Sequence, residues 1–270
     1  VSEARFLGID FSGAAAPWRP VCARPTVWIA VLEGVRLADL RPVQKLDPGS
    51  APFDSLVNLL RAGQFRAAGI DAPFSLPDPH LPGGGYARLL AEIGALPPAG
   101  DRPFPLGPQL IGLAERYAPK QSAKPHRATE RQWSRATPRS TLWWKPRGGA
   151  PFAAACMTLL HRAGRPIWPW KDAPGMLVEA FPAAQLLAWN LPHVNYTGAD
   201  ASPVRARIVA DIERRQHIEI TPAHRREMLR TPDALDAFIA TFAGRAAANR
   251  TLKLEKPSSW KTEGAIAVHA

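Results

Sequence analysis

The sequence predicts an α/β fold, a mixed sheet flanked by helices and interrupted by a long basic insertion rich in proline and glycine. Three observations carry this. Two short apolar runs end alike, Phe6-Leu7-Gly8-Ile9-Asp10-Phe11-Ser12-Gly13 and Ala67-Ala68-Gly69-Ile70-Asp71-Ala72-Pro73-Phe74. Each reads as a buried strand that delivers one carboxylate to a sheet edge before a breaker. The chain beyond Pro182 is dominated by helical spacing. Between them, residues 73–151 are dense in proline and glycine and carry little regular pattern.

The first strand ends at Asp10. Residues 26–33 have strand composition, Gly34 supplies a turn, and residues 35–46 read as a weaker returning strand. Residues 52–62 predict a helix, with Leu56, Leu59 and Leu60 on one face and Gly63 as its stop. The strand at 66–71 follows. A helix before that strand favours a parallel pairing with a neighbour, after an opening three-strand meander. Within the insertion, 86–93 and 109–116 predict short helices. A helix at 152–163 and a strand at 176–181 come next, the strand carrying Glu179. Helices at 182–190, 203–217, 222–229 and 232–249 each open on proline, where the missing N–H costs little. Residues 263–268 predict a short last strand or a folded tail. The whole, 1–270, reads as one domain with the insertion at about 73–151.

Composition narrows the class. No stretch approaches the roughly 20 apolar residues that span a bilayer, and no charged-then-apolar leader precedes the first strand. A soluble cytoplasmic protein with no membrane partner is expected. Cys22 and Cys156 form neither a disulfide framework nor a zinc site and read as single buried thiols. Thirty-four Lys and Arg against 23 Asp and Glu give a net charge of +11, which favours a polyanionic partner, nucleic acid above all.

Acids from separate elements in so basic a chain call for a cation between them. Asp10 and Asp71 lie at strand ends. Asp233 and Asp236, in Asp233-Ala234-Leu235-Asp236, stand three apart on one helix face. Together they make a set of hard oxygen ligands suited to Mg²⁺ or Mn²⁺. Asp233 equally suits a first helical turn, where the macrodipole favours negative charge, and Asp236 equally suits a local arginine. Glu179 is open between ligand, general base and ion-pair partner of an arginine; Glu263 reads as a surface cap. Between Glu115 and Arg147, nine Lys or Arg stand against two Glu, with Trp133, Trp143 and Trp144 interleaved. Arg127, Arg131 and Arg135 recur every four residues, so a helix would align them. With Lys145 and Trp143 they are candidate substrate contacts, because guanidinium and aromatic faces suit phosphates and unpaired bases. The competing reading is a solvated basic face with packed tryptophans. Gly83-Gly84-Gly85 lacks a following Lys-Ser/Thr and is not a P-loop. Ser12 and Ser75 lack a nucleophile context, and His80, His126 and His161 lack metal spacing.

In order along the chain, Gly8-Ile9-Asp10, Gly69-Ile70-Asp71-Ala72-Pro73, Val178-Glu179-Ala180-Phe181-Pro182, Asp233-Ala234-Leu235-Asp236-Ala237 and Glu263-Gly264-Ala265-Ile266 resemble the DUF429 family of predicted nucleases with a ribonuclease H-like fold. The Asp-x-x-Asp-Ala stretch is also similar to the last catalytic helix of RuvC-type resolvases. The resemblance implies a two-metal phosphodiesterase. Asp10 would bridge both ions, Asp71 would hold one, and Asp233 or Asp236 the other, about 3.5–4 Å apart. One departure stands out: where relatives carry Arg-x-x-Asp-Arg, this chain has Arg127-Ala128-Thr129-Glu130-Arg131. Two alternatives are a non-enzymatic nucleic-acid- or partner-binding scaffold and an actin- or sugar-kinase-like phosphotransferase. The last expects a duplicated half and a second Gly-rich motif, neither evident here.

Overall fold

Five strands form one mixed sheet in the computed structural model, which describes residues 3–119, 125–145, 148–253 and 259–270. β1 (Arg5–Asp10), β2 (Trp28–Glu33) and β3 (Arg36–Pro42) form the antiparallel meander, and α1 (Pro52–Ala62) leads to β4 (Ala67–Asp71), parallel to β1. β5 (Met176–Glu179) adds parallel to β4, giving the order β3-β2-β1-β4-β5. The returning strand is shorter than expected: Pro42, which has no N–H to offer, is its last paired residue, and a 3₁₀ turn covers Val43–Lys45.

Strand parity separates two cores. Leu7, Ile9, Ala68 and Ile70 point to one face. They meet α1 and α5 (Ala150–Ala163), with α2 (Tyr86–Gly94) and α3 (Gly107–Ala114) outside. Phe6 and Ala67 point to the other face, covered by α6 (Pro182–Ala188), α7 (Ser202–Gln216), α8 (Pro222–Arg230) and above all α9 (Pro232–Asn249). Gly8, Asp10, Gly69 and Asp71 share that second parity. The glycines let α9 lie directly on the backbone: a Cβ at Gly8 would sit 2.0 Å from the Ala237 carbonyl oxygen, and one at Gly69 2.0 Å from that of Ala240.

Residues 73–151 are more than a surface insertion. Phe74, Leu76, Leu89, Ile93, Phe104, Leu110 and Leu113 are buried in the same core as β1 and β4. α4 (Ala128–Gln132) follows, a helix too short to carry the four-residue arginine repeat. Lys120, Lys124 and Arg147 of the basic stretch lie outside the described residues. The chain from 263 onward is not a strand. α10 (Trp260–Glu263) gives way to extended backbone, with the Ala267 N–H donating to the Glu179 carbonyl at 2.9 Å. Cys156 is buried, Cys22 half-buried, and both are free thiols. No helix of the described residues is long and apolar enough to cross a membrane.

Candidate metal centre

The two Gly-Ile-Asp runs pair in register. Gly8 faces Gly69, Ile9 faces Ile70, and Asp10 faces Asp71 across the β1–β4 ladder. Because β1 and β4 are parallel, both carboxylates leave the same edge and, sharing parity, the same face. α9 closes the set. Its register on the sheet, fixed by Ala237 over Gly8, places Asp236 beside the strand ends. Carboxylate oxygens of Asp10, Asp71 and Asp236 lie within 4.8 Å of one another. Asp233, one turn earlier, lies near enough for its carboxyl to act on that of Asp10 and accepts from the Thr231 hydroxyl at 2.5 Å. Thr231 also caps α9.

Four carboxyls this close repel one another. Burial, then Asp236, Asp71 and Asp233, push Asp10 well above the usual carboxylate range. Burial and Asp71 do the same to Asp236, against the hydrogen bond from Tyr196. Asp233 is raised by burial against its Thr231 bond. Asp71 is pushed up to about 7 by burial, with the Arg139 guanidinium opposing the rise. A carboxyl that holds its proton more tightly when folded favours the native state in acid, and this advantage disappears as pH rises from about 4 through about 7. In EDTA, the stability of Asp71→Asn relative to wild type is therefore expected to climb across that window, by on the order of a few kcal/mol. Calorimetry at pH 5, 6, 7 and 8 checks this; a flat difference contradicts it.

The acids open into a cleft of about 750 Å³. One wall carries Thr137, Pro138, Arg139 and Phe152, the other the loop from His193 to Thr197. The Arg139 guanidinium lies 5.3 Å over the Phe152 ring. Among the described residues it has no ion-pair or hydrogen-bond partner, although its charge reaches Asp71.

One sequence assignment is corrected and another narrowed. Arg127 is fully buried and is not a surface cation for substrate. Its guanidinium grips Glu179 through both terminal nitrogens and meets Glu130 Oε1 through Nε at 2.8 Å. Burial works against this charge, and Glu179 and Glu130 outweigh it, holding Arg127 protonated. Of the three readings left open for Glu179, the structure shows the ion pair with an arginine. Its Oε2 also accepts the Phe74 N–H at 3.0 Å, so both oxygens are occupied. Glu130 stands in place of the aspartate of the Arg-x-x-Asp-Arg pattern and serves this network.

The other candidates lie apart from the acids. Arg131 is exposed on α4 and donates to the His126 carbonyl; Arg135 is exposed in a 3₁₀ turn at Ser134–Ala136. They do not form a helical stripe with Arg127. Lys145 is exposed over the Trp144 ring at 5.6 Å, Trp143 is half-buried, and Trp133 is core. Glu263 is buried, not a surface cap; it accepts the N–H groups of Asp78 at 2.8 Å and Ala128 at 2.7 Å. Arg139 and Tyr196 were not singled out by the sequence. Arg139 follows Thr137-Pro138 within the basic stretch, where it resembles eight other cations, and nothing local marks Tyr196.

A family model described as "Protein of unknown function (DUF429)" matches residues 8–257. No curated protein and no solved structure matches the chain.

Proposed function

The chain belongs to the DUF429 family, and from that premise and the carboxylate cluster we propose a divalent-metal-dependent phosphodiesterase of ribonuclease H-like architecture that hydrolyses DNA or RNA. The observation that carries this reading is the clustering of Asp10, Asp71 and Asp236, drawn from two strand ends and a helix, with Asp233 close by. The donor set fits Mg²⁺ or Mn²⁺: it is all oxygen, partly buried, and among the described residues only the Arg139 and Arg205 guanidinia act on its four carboxyls, which leaves its charge incompletely balanced. When bound, such ions supply Lewis-acid polarisation of a phosphoryl group and a nucleophilic water at neutral pH.

The chain's own residues do the rest. Asp10, Asp71, Asp233 and Asp236 hold the cations at the floor of the cleft. Arg139, kept in place by the Phe152 ring, offers its unpaired N–H groups to a non-bridging phosphate oxygen. Exposed Arg131, Arg135 and Lys145 add long-range attraction for a polyanion. The buried Arg127–Glu179 pair holds the cleft wall to β5.

The test is incubation with Mn²⁺ or Mg²⁺ and end-labelled single- and double-stranded DNA and RNA. Metal-dependent cleavage is expected, with Arg139→Ala slowing it by roughly tenfold to a hundredfold, the value of one charge-assisted hydrogen bond. The metal-induced rise in melting temperature should be untouched in that variant. A wild-type protein with no metal-induced rise sinks the reading.

A further inference from the structure

Arg205 is an arginine without a carboxylate. It lies on the apolar face of α7, 1% exposed, beside Ile208, Val209 and Ile212. Its N–H groups go only to carbonyl oxygens. Nη1 donates to Tyr196 at 2.7 Å and Gly198 at 3.0 Å, while Nε and Nη2 donate to Leu229 at 3.1 and 2.7 Å. Burying a guanidinium in neutral surroundings is unfavourable unless its nitrogens find acceptors and an anion stands near. Here every nitrogen donates, in four bonds from its five N–H groups. The nearby anion is Asp236, whose charge reaches Arg205.

The three carbonyls are well chosen. Tyr196 and Gly198 belong to the cleft-rim loop that follows α6. Leu229 stands two residues before Thr231, the cap of α9. One side chain therefore ties the rim loop to the base of the helix that bears Asp233 and Asp236. The loop returns the connection: the buried Tyr196 hydroxyl donates to Asp236 Oδ1 at 2.9 Å. Oδ2 of Asp236 has no protein donor among the described residues. Asn195, beside Tyr196, takes a left-handed conformation (φ 61°) that asparagine tolerates, so the loop turns sharply here.

We propose that Tyr196 and Arg205 are positioning residues for Asp236 as a metal ligand: Tyr196 occupies one carboxylate oxygen and aims the other at the cation, and Arg205 fixes Tyr196 to the base of α9. This deepens the divalent-metal reading and rests on it. It also makes the rim loop part of the metal site. His193, Asn195 and Thr197, which line the cleft, are held in place through the same tyrosine that orients the ligand.

The experiment is Mn²⁺ titration of the full chain, with free Mn²⁺ counted by its electron paramagnetic resonance signal. Tyr196→Phe keeps the ring and removes only the hydroxyl. It is expected to weaken the ion held by Asp236 about tenfold to a hundredfold, the usual cost of losing a ligand's outer hydrogen-bond partner. Affinity at the other ion should stay within about twofold, and the metal-free melting temperature should remain close to wild type. Arg205→Lys keeps the charge but lacks the planar fork that reaches all three carbonyl groups, and should show the same selective loss. Superimposable isotherms for wild type and Tyr196→Phe overturn the proposal. So does a loss at both ions accompanied by a lowered metal-free melting temperature, which assigns Tyr196 to packing alone. Wild-type protein that binds no Mn²⁺ is a different outcome, and fails the metal reading itself.

Discussion

Asp10→Asn is expected to make the metal-free protein more stable and the metal-loaded protein inert. The wild-type cluster crowds four carboxyl groups near one another, and burial opposes the charge of both Asp10 and Asp236. Replacing Asp10, which feels Asp236, Asp71 and Asp233 together, removes the most repelled of these charges. Amide and carboxylate have nearly the same shape, so β1 keeps its packing. A rise of about 3 °C in the EDTA melting temperature follows from roughly 1 kcal/mol of relieved repulsion in a chain of this size. The stabilisation given by Mg²⁺ or Mn²⁺ should vanish, and hydrolysis should fall about a thousandfold, since several kcal/mol of transition-state stabilisation leave with the cation. Asp71→Asn should lose as much activity. Scanning calorimetry with and without Mn²⁺, beside a cleavage assay, decides. An Asp10→Asn protein that still gains wild-type stability from Mn²⁺ overturns the metal assignment of Asp10.

Gly8→Ala/Gly69→Ala should cost more than most pairs of methyl groups can. A Cβ on Gly8 would stand 2.0 Å from the Ala237 oxygen and 2.6 Å from the Thr241 nitrogen; one on Gly69 would stand 2.0 Å from the Ala240 oxygen. These are backbone atoms of α9 and cannot swing aside. The helix must lift from the sheet along its centre, where even a Cβ on Gly244 would stand only 3.3 Å from the Ala67 and Gly69 backbone. Ordinary overpacking costs about 1–3 kcal/mol; two rigid clashes in one contact should exceed about 4 kcal/mol, a range reserved for severe disruption. The melting temperature should drop by roughly 10 °C. Chemistry suffers as well, because lifting α9 moves Asp233 and Asp236 away from Asp10 and Asp71. Mn²⁺ affinity should therefore fall even in the fraction that stays folded. Wild-type melting in the double variant would mean that α9 does not sit on these glycines.

Much of this arrangement could be read before the fold was seen, and the exceptions have physical causes. The Gly-Ile-Asp strand ends, the parallel pairing of β4 with β1 and the helix beginning at Pro232 are local patterns of apolar period and breaker, which sequence carries well. The role of the glycines is a docking fact: nothing in a strand pattern says that a helix from residue 232 onward will touch them. Arg127 and Arg131 look alike along the chain. One is buried and the other exposed because Glu179, 52 residues away, waits for the first. Arg205 was legible. It shares helical spacing with Ile208, Val209 and Ile212, and a charge on an apolar stripe signals a buried partner. Tyr196 was not, since its loop has no period and its partner lies 40 residues on.

Glu263 closes the account in another respect, that of time. It accepts the N–H groups of Asp78 and Ala128, so it fastens two points far apart in the chain to each other. Ribosomes deliver the chain from its N-terminus, so β1 and β4 can pair while Asp233, Asp236 and Glu263 are still unmade. The cage therefore lacks its helix, and those two points their fastening, until nearly all of this sequence has emerged. A nascent chain would present Asp10 and Asp71 as two bare acids beside the RNA-rich machinery that is making it.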